Sequence, residues 1–168
     1  MPSLQAYTYR MPAGFAGDLQ RAEVATVETQ QIDSSAPPTA FGVAVKLVSG
    51  KVQPINSGSD TAAAVYGVNL RAYPIQTNGS DPLGTSTPPV AGLTDILKRG
   101  YVNVQLNGAT AAAKGGTVYV RVANASAGKP IGGFEAAADG ANTVAMPASW
   151  YFTGPADAYS ITEIAINI

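Results

Sequence analysis

The chain has 168 residues, a formal net charge of −1, and neither histidine nor cysteine. Those two absences exclude a Ser-His-Asp triad, a Cys-His pair, disulfides and the usual zinc sites. Charged residues make up 12% of the chain, against about 25% in an average domain, and they form no basic stripe of the kind nucleic-acid binders carry.

Residues 1–22 show no sustained period and carry Tyr7, Tyr9, Met11 and Phe15 among Pro and Gly. Two readings stay open for this extended segment: packing on its own domain, or an arm lying on a neighbouring subunit. Aromatic anchors favour such contacts. The remainder, 23–168, reads as a single β-rich domain, large enough to bury a core without staples. A weakly patterned strand is expected near Glu23–Ile32, followed by the breaker Ser34-Ser35-Ala36-Pro37-Pro38. Phe41 to Leu47 alternates cleanly, with Phe41, Val43, Val45 and Leu47 on one face. Ser49-Gly50 predicts a turn into a hairpin partner at Lys51–Ile55. Ala64–Arg71 reads as a further strand, with Tyr66, Val68 and Leu70 sharing a face.

Residues 77–92 form a long loop, and loops of that length are often functional. It is expected either as a surface excursion or as a contact loop with Leu83 near its tip. One short helix is expected over 94–100, with Thr94 as N-cap, Lys98-Arg99 at the negative end and Gly100 as the stop. Beyond Gly100 the pattern is β throughout. Val102, Val104 and Leu106 alternate with Tyr101, Asn103 and Gln105. Asn107-Gly108 signals a turn. Val118, Val120 and Val122 alternate with Tyr119 and Arg121, and Ile131–Glu135 reads as the return strand. Short strands follow at Thr143–Met146 and Ser149–Phe152. In the last of these Trp150 and Phe152 point to the core and Tyr151 to the surface. The closing strand carries Ile164, Ile166 and Ile168, and Ile161 is out of phase, which predicts a bulge near Thr162. Nine or ten short strands separated by turns argue an all-β fold: a small antiparallel barrel or sandwich.

Chemistry is sparse. Ser126-Ala127-Gly128-Lys129 matches S-x-x-K, but Gly128 and Pro130 place it in a loop rather than on the helix that this hydrolase motif needs. The eleven acids are scattered, show no calcium-loop spacing and read as solvated. No phosphate loop is present, so no cofactor is expected. The sequons at Asn78 and Asn124 read as chance matches, because no secretory signal is visible at Met1-Pro2-Ser3. No apolar stretch nears the ~18 residues of a membrane helix. The expectation is a non-enzymatic contact protein made in a reducing cytosol. Tyr101, Tyr119 and Tyr151 join Tyr7, Tyr9, Met11, Phe15 and Leu83 as candidate contact residues.

The order of several segments resembles the tailed-bacteriophage capsid cement, or decoration, protein family. They are Phe41-Gly42-Val43-Ala44-Val45, Asp95 to Val104, Gly115 to Val122 with Ile131-Gly132-Gly133-Phe134, and Asn142 to Pro147 running into Trp150-Tyr151-Phe152 and the final Ile164-Ala165-Ile166. The likeness spans most of residues 10–168, and the loop at 77–92 is its least matched part. It implies a homodimeric or homotrimeric virion protein on the outer surface of the shell, bound to the major capsid protein and bridging capsomers. Two other classes fit the residues: a tail or baseplate component, and a carbohydrate-binding β-sandwich with Trp150 or Tyr151 as platform.

Overall fold

A computed structural model describes residues 13–71 and 87–168. Among these the strands are β1 (Leu19–Gln20), β2 (Thr26–Gln31), β3 (Ala44–Val48), β4 (Lys51–Pro54), β5 (Gly67–Asn69), β6 (Leu93–Asn107), β7 (Tyr119–Arg121), β8 (Phe134–Glu135), β9 (Thr143–Ala145), β10 (Tyr151–Phe152) and β11 (Ile161–Ile166). Three single 3-10 turns supply the only helical structure among the described residues. The fold is all-β.

Strand β6 is the spine. Its first half lies between β2 and β5, and its second half pairs with β1 and β11. Its last two residues pair with β8, and this pair is parallel, so the sheet is mixed rather than purely antiparallel. The N-terminal half curls through β4-β3-β5-β6-β2 until Ile32, just past β2, bridges Val52 of β4. Val45, Val52 and Ile96 pack together in this half, with Val43, Leu47 and Tyr66 against them. The C-terminal half curls from β10 through β11 and β6 to β8 and β7, and a bridge between Thr117 and Tyr151 brings its ends together. The main core gathers Val102, Val104, Leu106, Val118, Val120, Phe134, Trp150, Phe152, Ile164 and Ile166.

The helix expected over 94–100 is strand. Thr26 pairs with Arg99 but Val27 with Leu97, so Lys98 is an extra residue on β6, a bulge. The bulge moves the core-facing set from odd to even positions: Leu97 before it, then Val102, Val104 and Leu106. A broken alternation followed by Lys-Arg-Gly imitates a capped helix end. Gly100 serves the strand instead. It has φ +130, and a Cβ there would sit 3.1 Å from Ala25 Cα.

Other expectations need correction. The expected strand from Ala64 begins as a 3-10 turn and is regular only over Gly67–Asn69. Tyr66 packs in the smaller cluster, while Val68 and Leu70 enter the main core. No bulge occurs at Thr162: β11 stays in register with β6 from Ile161 to Ile166. Both faces of β11 are covered, so Ile161 is buried without a change of phase. The Ser49-Gly50 hairpin turn is present as expected, with both residues at positive φ.

Residues 13–31 run antiparallel to β6 as one interrupted strand. Gly17 N–H donates to the Asn103 carbonyl and Asn103 N–H to that of Asp18, ahead of the β1 and β2 pairings. The expected boundary at 22/23 lies inside the 3-10 turn Ala22–Val24.

Candidate functional site

Two of the sequence-predicted contact residues are brought together on the outward face of the C-terminal half. Tyr101 on β6 and Tyr151 on β10 both stand opposite Ala165 of β11. The neighbouring Tyr101 phenol, with burial, pushes the Tyr151 hydroxyl above its ordinary pKa. Arg21 lies with its guanidinium 4.0 Å from the centre of the Tyr101 ring. Its Nη2 also donates to Glu163 Oε1 at 2.8 Å. Arg21 has φ 50 and ψ 61, the left-handed region, which costs an ordinary residue about 1 kcal/mol. The stacking and the ion pair hold it there. The result is a surface on which Tyr101, Arg21 and Tyr151 stand together.

Phe15 stands exposed nearby in sequence, with Arg71 5.0 Å over its ring. Tyr119 is half-buried on β7, across from Glu135 and Ala145, and belongs to a different part of the sheet. Tyr7, Tyr9, Met11 and Leu83, with most of the loop at 77–92, lie outside the described residues. Trp150 is buried in the main core and donates its indole N–H to Asn167, so it offers no platform for a sugar. An open groove of about 570 Å³ runs beside β1 and β2, lined by Asp18, Leu19, Gln20, Val27, Leu70, Arg71 and Asp95.

The sequence also concealed an ionic cluster. The acids do not all stand in solvent. Arg121, only 1% exposed, donates from Nε to Glu135 at 2.6 Å and from Nη2 to Asp139 at 2.5 Å. Its Nη1 reaches the carbonyls of Ala123 and Asn124. Lys129 of the S-x-x-K match stands 3.2 Å from Glu135 and 3.7 Å from Asp139. Ser126 and Lys129 bridge each other's backbone across a tight turn, so that motif is a structural loop. The one available signal was that Arg121 continues the non-core face of an apolar strand, where a charge needs partners. Among the described residues no group of three or more potential ligands gathers to hold a metal ion.

The fold is all-β, and its outward face brings Tyr101, Tyr151 and Arg21 together. Residues 4–166 match the family described as XM1 gp53 minor capsid protein. The chain belongs to that family. It is therefore a structural protein of a phage capsid, placed in the virion and associated with the shell. A solved structure titled "The capsid of Myoviridae Phage XM1" shares its fold, with a TM-score of 0.66 and 15% identity over 96% of each chain. No curated protein matches it by sequence.

Proposed function

We propose that this protein binds the outer surface of the major capsid shell as a homodimer or homotrimer, bridging capsomers and stabilising the head. The observation that carries the reading is the Tyr101-Tyr151-Arg21 surface in a chain of capsid-family membership. Tyrosine and arginine are the residue types that dominate binding hot spots, and rigid side chains lose little entropy on docking. Low charge supports the same view, since a surface covered by partners has less need of charged residues. Multivalent attachment through an oligomer turns modest single contacts into firm holding. The aromatic residues of 1–12 would add contacts to a neighbour.

The test is co-sedimentation of purified protein with expanded shells that lack it, alongside its mass in solution. Saturable binding by a dimer or trimer is expected. Protein that stays in the supernatant at every concentration would sink the proposal, and a monomeric mass would remove its oligomeric part.

A further inference from the structure

We propose that the Arg121 cluster is an acid-sensitive latch that holds the loops 123–131 and 136–142 against β7. The inner face of β7 is secured by apolar packing, because Val118, Val120 and Val122 all enter the main core. Its outer face has a different fastening. Arg121 reaches Glu135 on β8, Asp139 ahead of the last 3-10 turn, and the carbonyls of Ala123 and Asn124 on the loop leaving β7. One side chain thus ties together four segments. Lys129 joins both carboxylates from the tip of the first loop. The other groups facing the cluster are neutral in acid: the Tyr119 phenol of β7 stands across from Glu135, Thr143 Oγ1 accepts the Asp139 N–H, and Asn107 beside Glu135 donates to the carbonyls of Gln105 and Phe134. A cavity of about 210 Å³ already opens beside the latch, lined by Asn107 to Thr110, Lys129 and Glu135 to Asp139. Water has a route in once the loops lift.

Protonating the two carboxylates removes every anionic partner of a guanidinium that is almost wholly out of solvent. A buried charge stripped of its partners is strongly destabilising, so the loops must open to hydrate it. The direction follows from linkage. Arg121 holds the Asp139 carboxyl below its ordinary range. The fastening is therefore complete above the ordinary carboxylate value, about 4, and is lost as pH falls through the lowered one. Opening is reversible and confined to these loops, because the core side of β7 carries no titrating group.

Amide NMR from pH 7 to pH 2.5 tests this, with the Arg121 Nε–Hε resonance as a direct reporter. The reporter and the amides of 123–131 and 136–142 are expected to shift together below about pH 4, while those of β3 and β4 stay native. Asp139→Asn, which removes one of the guanidinium's two anionic partners, should move the transition to higher pH. Arg121→Met, which fills the site without a charge, should leave the loops closed through the same range. Loss of all amides at one shared midpoint would overturn the latch, as would an unchanged acid transition in Arg121→Met. Wild-type loops that stay native to pH 2.5 would do so as well.

Discussion

Arg21 shows how one residue can be costly locally and still be retained. Its left-handed backbone disfavours any side chain, and the Tyr101 ring and Glu163 offset that cost. An exposed cation–π contact contributes about 0.5–1 kcal/mol, and a half-exposed ion pair adds little after solvent screening. Arg21→Gly should therefore change stability by less than about 1 kcal/mol while weakening shell binding at least several-fold. Thermal unfolding and co-sedimentation of the same preparation check both halves. A second residue-scale case is Asp33, whose carboxylate accepts from Ser35 and Gln53 and is held down to about 2. Its contribution is present above the ordinary aspartate value near 3.9 and fades as pH falls through about 2. A carboxyl NMR titration should place its midpoint there, and a midpoint near 4 would show that those hydrogen bonds do not persist in solution.

At the scale of elements, β6 decides the fold. Its bulge at Lys98 lets one strand present Leu97 and then Val102, Val104 and Leu106 to the same core. Deleting Lys98 should turn that second set away from the core, because a one-residue slip exchanges the faces of a strand. The deletion variant is expected to lose its cooperative thermal transition and its dispersed NMR spectrum. Gly67→Ala probes the neighbouring contact, since a Cβ there would stand 2.4 Å from the Leu97 carbonyl oxygen. Forcing β5 away from β6 should cost at least about 2 kcal/mol, which calorimetry would register as a fall in Tm of several degrees.

The same strand shows what was legible in the sequence and what was not. Alternation identified 101–107 and 118–122, because each keeps one phase from end to end, but it misled in the closing strand, where both faces are covered and the out-of-phase Ile161 imitates a bulge. It failed at 94–100, where the phase changes in mid-strand, and at 64–70, where the chain passes from one packed cluster to the other. Tyr101 and Tyr151 were readable as surface residues from alternation alone, but their meeting depends on β11 lying between them. Arg21 could not be read at all, because nothing local signals a side chain held by a ring 80 positions away. Arg121 lies only 14 and 18 positions from Glu135 and Asp139, but their meeting depends on β7 pairing with β8.

For the whole molecule, two curled halves share one spine and one main core, and several of the described charges are spent on internal pairs: Lys46 with Asp60, Arg121 with Glu135 and Asp139, Arg21 with Glu163. The most direct measurement is a cryo-electron reconstruction of shells lacking this protein after they have been mixed with it. Ordered density on the outer surface, spanning adjacent capsomers with the Tyr101-Tyr151 face at the contact, is the predicted result. Density on the inner surface or in the tail, or none that is ordered, would contradict the account.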